Sequence, residues 1–318
     1  MVLRNVVLSI DVGGTKIAYA FIDSGGGVHD YGIVKTRRAG GRQVINQLRE
    51  IVRSCRYKKV VGVGVSVPGI VRNGSVTWAP NIREWRDVHL ADLISRDIPE
   101  GGLIEVVDDR TASALGEMWQ GAAKSLSNFI VLVIGTGVGA GVVIDGRPVH
   151  GSAGVSGAVG WWLLSRSLPH RSTRRGFLEE EIGGLALDRI ARRYSSSRTS
   201  TGSPLRELCE FVDSTCLFRA YDLGHDLAKN TLERKAVLLG ILIANLLSLL
   251  NPEAVILSGS VGVELGKRFM PLIRRVVEAV AQPYATKSYR LEVSSLGHLS
   301  CLYGSAYFVL KRMGSIGK

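Results

Sequence analysis

The chain has 318 residues, 46% of them hydrophobic and 21% charged, with a formal net charge of +12. That length suits two cores rather than one, and the composition excludes a disordered or fibrous chain. The basic excess is scattered, its densest groups being Arg171, Arg174 and Arg175 and then Arg189, Arg192 and Arg193, so it reads as a solvated face and not as a nucleic-acid stripe.

Taken in order, strands are predicted near residues 6–10, 17–22 and 28–34, a meander, followed by an amphipathic helix with Val44, Leu48, Ile51 and Val52 on one side. The strand Val60 to Val65 ends in Ser66-Val67-Pro68-Gly69, a turn at a strand's carboxyl edge, where open α/β sheets carry ligand loops. A loop holding Trp78, Ala79, Pro80, Asn81 and Trp85 leads to a strand, Leu103 to Val107, that runs into Asp108, Asp109, Arg110 and Thr111 and then a helix from Ala112 to Ala123. After this βββαβαβα order the same order begins again, with strands at 129–134, 140–144 and 147–150. Helices are expected over 178–194, 205–213, 225–250 and 265–281, strands over 254–258 and 290–295, and a loop from Ser195 to Ser203. A last helix, Cys301 to Arg312, is expected to pack back onto the first lobe.

The first strand starts at once, so neither a cleavable signal nor an appended DNA-reading domain is expected. The longest uncharged run, Ala236 to Leu250, is short of the roughly 20 residues that span a bilayer, and no membrane partner is expected. Cys55, Cys209, Cys216 and Cys301 have no CxxC spacing and no paired framework, which points to core residues in a reducing, cytoplasmic compartment.

The chain's chemistry centres on Ile10 to Ile22, where two apolar runs flank a turn of Gly13, Gly14, Thr15 and Lys16. Glycines leave the backbone N–H groups uncovered, so an anion can approach. Asp11 at the strand end adds a carboxylate, which suits a metal-bound polyphosphate; an ordinary glycine hairpin with a surface Asp explains the stretch equally well. A second copy, Ile134 to Asp145 with Gly135, Thr136, Gly137 and Gly139, favours a duplicated domain with a nucleotide held between two lobes. Asp108 and Asp109, at a strand end before a helix, can either cap the helix or offer a base to an alcohol acceptor. Adjacent residues point different ways, so each can take one role.

Taken together, the motifs resemble those of the ROK sugar kinases, within the actin and hexokinase superfamily. The resemblance is carried by Asp11 to Lys16, Ser66 to Gly69, Ala79-Pro80-Asn81, Asp109 with Ala114 to Glu117, Gly135 to Gly139, Gly151 to Gly160, Gly176 to Glu179, Asn251-Pro252-Glu253 and Ser258-Gly259. It implies an α/β fold of two ribonuclease-H-like lobes, residues 1–116 completed by 301–318, and 117–300, with Mg²⁺·ATP and a sugar in the cleft between them. It further implies that Asp109 is the general base and that Asp11 holds Mg²⁺ through water and ATP phosphates. Gly13, Gly14, Thr15, Lys16, Gly135, Thr136, Gly137 and Gly139 would serve the phosphates, Ser258 and Gly259 the adenosine, and Gly69, Asn81, Asp108, Asp109 and Glu179 the sugar. The expected reaction is phosphorylation of a hexose primary hydroxyl, as by a glucokinase or broad-specificity hexokinase, with a homodimer left open. A kinase of another sugar, such as an N-acetylhexosamine, and a non-catalytic sugar-binding protein are the alternatives. A repressor of the family would need a DNA-binding region before the first strand.

Three departures stand out. Asp108 replaces the family's usual Asn. Ala158, Val159, Gly160 and Trp161 replace its Glu-x-Gly-His motif, and its zinc-binding cysteines are missing, since no Cys lies between Cys55 and Cys209. No zinc is therefore expected, because a structural site needs about four N or S ligands and only His170 qualifies around residues 158–180.

Overall fold

The computed structural model describes residues 5–37, 40–54, 60–98, 102–164, 175–196 and 204–316. The first elements are β1 (Val6–Val12), β2 (Lys16–Asp23), β3 (Val28–Lys35), α1 (Gly41–Arg53), β4 (Val60–Val67), β5 (Ile70–Arg72), β6 (Ser75–Trp78), β7 (Arg86–Val88), α2 (Leu90–Ser95), β8 (Leu103–Asp108) and α3 (Asp109–Gln120). There follow β9 (Phe129–Ile134), β10 (Val138–Ile144), β11 (Arg147–Pro148), α4 (Glu179–Ile182), α5 (Gly184–Arg193), α6 (Leu205–Leu208), α7 (Ser214–Asp222) and α8 (Asp226–Leu250). The chain ends with β12 (Ala254–Ser258), α9 (Ser260–Val280), β13 (Arg290–Val293) and α10 (Ser300–Arg312). It divides into two units, Met1–Leu126 with Gly141–Ser156 and Ser295–Lys318, and Ser127–Ala140 with Gly157–Ser294.

In the first unit a five-stranded sheet has the order β3-β2-β1-β4-β8. β1 pairs antiparallel with β2 and parallel with β4, and β4 pairs parallel with β8. The period of two in β1 sends Leu8, Ile10 and Val12 to a core shared with Val44, Leu48, Ile51 and Val52 of α1. Val7 goes to the opposite core, with Leu302, Ala306, Val309 and Leu310 of α10. The last helix thus covers one face of the first sheet. Ser9 Oγ donates to Leu302 O at 2.6 Å, and Ser113 and Ser300 hydrogen bond at 2.9 Å across the α3–α10 contact.

A second five-stranded sheet has the order β11-β10-β9-β12-β13, with β9, β12 and β13 parallel. Each sheet places its first strand beside a following hairpin strand on one side and later parallel strands on the other. The two sheets repeat one strand order, as the duplicated glycine hairpins led us to expect, and the pair fits the two ribonuclease-H-like lobes that the resemblance implies.

Several expectations are corrected. The stretch around the loop holding Trp78, Ala79, Pro80, Asn81 and Trp85, for which no strand was expected, forms a three-stranded antiparallel sheet, β5-β6-β7. Asn73 and Gly74 at its first turn have φ of 49° and 75°, the two positive values that a two-residue hairpin requires and that an Asn-Gly pair supplies. The helix over 178–194 is two helices, because Gly183 is extended and Gly184 N–H donates to Gly135 O at 2.7 Å. The helix over 205–213 ends at Leu208, and a separate α7 starts where Asp213 caps it by accepting Cys216 N–H at 3.0 Å. That break turns Cys209 and Cys216 toward each other, and they form a disulfide with a Cα–Cα distance of 5.9 Å. The expectation of unpaired cysteines, and the reducing compartment argued from it, therefore lose their basis. Cys55, His170 and most of the 195–203 loop lie outside the described residues. Among the described residues no helix is long and apolar enough to cross a membrane.

Candidate active site

The parallel pairing of β1 with β4 sets Asp11 opposite Ser66, and Ser66 Oγ donates to Asp11 Oδ1 at 2.5 Å. Burial pushes the Asp11 carboxyl above its ordinary range, opposed by the Ser66 hydrogen bond and the charge of Lys16. The turn after β1 is closed by Gly13 N–H donating to Lys16 O at 2.9 Å and braced by Thr36 Oγ1 donating to Gly13 O at 2.7 Å. Thr15 and Lys16 are exposed. Asn81 lies against this turn: a Cβ on Gly14 would stand 3.0 Å from the Asn81 Cβ.

The strand-to-helix junction of β8 and α3 separates the two aspartates. Asp108 is the cap of α3, its Oδ1 accepting Thr111 N–H at 3.1 Å and Arg110 Nε–H at 3.1 Å, its Oδ2 accepting the Thr111 hydroxyl at 2.7 Å. Asp109, the first helical residue, is not the cap. Its carboxyl is pushed up to about 7, chiefly by burial and then by the negative charge of Asp108, while Arg110 opposes the rise and Asp11 adds to it. Cys301 of α10 donates its thiol to Asp109 O at 3.5 Å. Burial, then the charges of Asp11, Asp109 and Asp108, hold that thiol well above its ordinary pKa, so it is not a ready nucleophile. Gly69, after β4, has φ of 115°, and a Cβ there would lie 2.0 Å from Trp78 O; its carbonyl accepts Arg110 Nη2–H at 3.1 Å.

The first unit therefore brings together Asp11, Gly69, Asp108 and Asp109, with Asn81 against the first glycine turn. The sequence reading did not assign roles to Ser66 as the partner of Asp11, to Arg110 or to Cys301. Ser66 could have been found from the pairing of two parallel strand ends. Arg110 could have been found from its place two residues after a cap. Cys301, about 190 residues away in the chain, gave no local signal.

The second unit holds the other glycine hairpin. Gly135 N–H donates to Gly137 O at 3.0 Å, closing the turn with Thr136 exposed at its tip. Gly139 is buried within β10. Glu179 Oε2 accepts Val138 N–H at 3.1 Å and would lie 2.5 Å from a Cβ on Gly137. The sugar ligand implied by resemblance is thus bonded to the second hairpin's backbone. Ser258 is buried at the end of β12, and Gly259 caps α9 with φ of 77°. A Cβ on Gly259 would stand 2.5 Å from Ile134 O, so this hairpin-to-helix approach requires glycine. Beside the start of α9 is a cavity of about 210 Å³ lined by Ser214, Thr215 and Phe218 of α7 and Ser260, Val261 and Arg268 of α9.

The donor sets suit the groups implied by resemblance. Asp11 offers a half-buried hard-oxygen ligand, and Mg²⁺ is commonly held by one or two carboxylates with substrate phosphates completing its shell. Glycines keep Cβ atoms off the backbone of both turns, with Asn81 packed on Gly14 and Glu179 on Gly137, and a polyphosphate is held by backbone N–H groups of such turns. Val159–Trp161 form a short 3-10 turn, and Trp161 is 50% exposed. Among the described residues no group of three or more His, Cys, Asp or Glu could hold a metal.

Comparison with known proteins adds a lineage. A profile described as ROK family matches residues 7–312. A glucokinase of Halalkalibacterium halodurans is 28% identical over 98% of this chain and 97% of its own. A putative xylose repressor of a Caldicellulosiruptor species is 30% identical over 80% of this chain and 64% of its own. The crystal structure of a ROK family glucokinase from Streptomyces griseus, in complex with glucose and AMPPNP, superposes with a TM-score of 0.82 at 24% identity, covering 96% of this chain and 99% of that one.

Proposed function

The chain belongs to the ROK family, and from that premise we propose that it is an ATP-dependent sugar kinase transferring the γ-phosphoryl group of Mg·ATP to a primary hydroxyl of a hexose. The observation that carries this reading is the division of labour at the β8–α3 junction. Asp108 is committed to the cap, while Asp109 has a carboxyl raised to about 7, matched to taking a proton near neutral pH. The sugar hydroxyl gives its proton to Asp109 as its oxygen bonds to the γ-phosphorus. The bond from that phosphorus to the bridging oxygen breaks, and ADP carries away the electron pair. The protonated Asp109 then returns its proton to solvent.

Mg²⁺ supplies charge neutralisation of the phosphate oxygens. Asp11, oriented by Ser66, is the residue that would hold the metal. Backbone N–H groups at the tips of the Gly13–Lys16 and Gly135–Gly137 turns, other than those of Gly13 and Gly135 that close them, serve the phosphates, and Ser258, Gly259 and the cavity beside α9 serve the nucleoside. For the sugar, Asn81 and the Gly69 turn are the contacts assigned. Asp108 acts through the cap, and Glu179 contributes through Oε1, its other oxygen being bonded to Val138 N–H.

The glucokinase relative supports glucose as the first sugar to try. The likeness to a xylose repressor supports a second reading, a sugar-binding regulator. One coupled assay of ATP consumption, run with and without Mg²⁺ over hexoses, N-acetylhexosamines and polyols, tests both. Turnover of at least one hexose that vanishes without the divalent cation is expected. Sugar binding with no turnover of any panel member would replace the kinase with the regulator.

A further inference from the structure

Arg110 follows the proposed base and has a side chain only 13% exposed. Its guanidinium makes three directed contacts: Nε–H to Asp108 Oδ1 at 3.1 Å, and Nη2–H to Gly69 O at 3.1 Å and to Gly154 O at 3.4 Å. These acceptors come from three separate stretches of the first unit, the cap of α3, the turn after β4 and the turn of residues 151–156. Strand pairing explains the first two, because β4 and β8 run parallel with Val67 opposite Asp108, so both strands deliver their ends to one rim, where open α/β sheets place ligands. The third stretch packs on β5: a Cβ on Gly154 would lie 3.2 Å from Ile70 Cγ2 and 3.3 Å from Val71 O. Gly154 N–H donates to Gly151 O at 3.2 Å and Ser156 N–H to His150 O at 3.1 Å, so the acceptor is presented by a closed turn.

A rigid planar fork can satisfy acceptors in several fixed directions at once, which a lysine ammonium on a flexible stem does less well. The pair Asp108–Arg110 also leaves the carboxylate adjacent to Asp109 bonded in place. We infer that Arg110 is a positioning residue for the sugar acceptor, clamping the Gly69 turn and the 151–156 turn to the cap of α3 so that the rim around Asp109 keeps one geometry. The inference rests on the kinase reading for its substrate. Its three contacts are to the cap beside Asp109, to the Gly69 turn and to the 151–156 turn, and none is to the Gly13–Lys16 turn assigned to the phosphates, so its effect is expected on the sugar constants and not on KM for ATP.

The test uses the full chain with Arg110→Met and Arg110→Lys, measuring thermal melting, steady-state kinetics for the hexose turned over best and for ATP, and hexose binding by tryptophan fluorescence. Arg110→Met should raise KM and Kd for the sugar about tenfold or more, the scale of one charge-assisted hydrogen bond, with KM for ATP within about twofold of the parent. Arg110→Lys, which keeps the charge and loses the fork, should give a smaller rise with the same selectivity, and it decides the matter alone if Arg110→Met does not fold. A rise in both KM values together, or a lowered melting temperature with neither sugar constant changed, would mean that Arg110 only stabilises the unit, and would overturn the inference. A parent that binds hexose without turning it over sinks the kinase reading instead, and Arg110 is then judged on Kd. A parent that neither binds nor turns over any panel sugar overturns both.

Discussion

Replacing Asp109 by Asn separates catalysis from stability, because the cap of α3 belongs to Asp108 and stays in place. A positioned base contributes roughly 10²–10⁴-fold, about 3–5 kcal/mol of barrier, and Asn, nearly isosteric, cannot take the proton. The stability effect has the opposite sign. A carboxyl raised in the folded protein from 3.8 to about 7 ionises more readily in the unfolded chain. Its contribution to stability is therefore greatest at low pH and declines as pH climbs through that window. The full decline corresponds to about 4 kcal/mol as an upper bound, and Asn escapes it. At pH 8 Asp109→Asn should melt at or above the parent, whereas at pH 4 the two should melt together. In the parent, kcat/KM should fall as pH drops through about 7, where Asp109 becomes protonated. The assay is a pH series of coupled kinetics from about 5.5 to 9 beside thermal melts of both proteins. Retention of more than about a tenth of kcat by the variant, or a parent profile flat through pH 7, refutes Asp109 as the base.

Asp108→Asn should move that acid limb to lower pH, since the Asp108 charge helps to raise Asp109 while an Asn oxygen can still accept Thr111 N–H; a limb that stays put or rises contradicts the electrostatic account. Asp11→Ala should raise the Mg²⁺ concentration for half-maximal rate by about tenfold or more, as expected when a hard-oxygen ligand is lost, and an unchanged metal titration with unchanged kcat rules that role out. Glucose, mannose and their 2-deoxy and N-acetyl relatives should have kcat/KM values within about 100-fold of one another, under about 3 kcal/mol. That expectation follows if Ala158 and the half-exposed Trp161, which replace two polar contacts of the family motif, leave an apolar wall that costs a wrong epimer little, and one sugar favoured by about 10⁴ would refute it.

The two sheets were legible because burial imposes a local period. β1, β4, β9 and β12 are short, nearly continuous apolar runs, the pattern of strands covered on both faces, and the two glycine hairpins announced the repeat. The small β5-β6-β7 sheet was also written in the chain, at Asn73-Gly74, but its strands of three and four residues are too short to show a period. The disulfide was not legible, since pairing Cys209 with Cys216 depended on where α6 stopped.

Residue type and order by themselves determined that Asp11 stands at a strand end beside a glycine turn, that Asp108 and Asp109 stand at a strand end before a helix, and that the chain carries the motif order of its family. Which aspartate caps and which is left for chemistry was decided by the tertiary structure. Asp108 and Asp109 are the same residue one peptide apart, and only the change from extended to helical backbone at Asp108, with φ −72° and ψ 150°, aims one carboxylate at Thr111 and Arg110 and leaves the other out of the cap. The raised pKa of Asp109 comes first from burial, then from Asp108 beside it, and in smaller part from Asp11, nearly 100 residues earlier in the chain. Distance in space sets those energies, and sequence spacing does not record it.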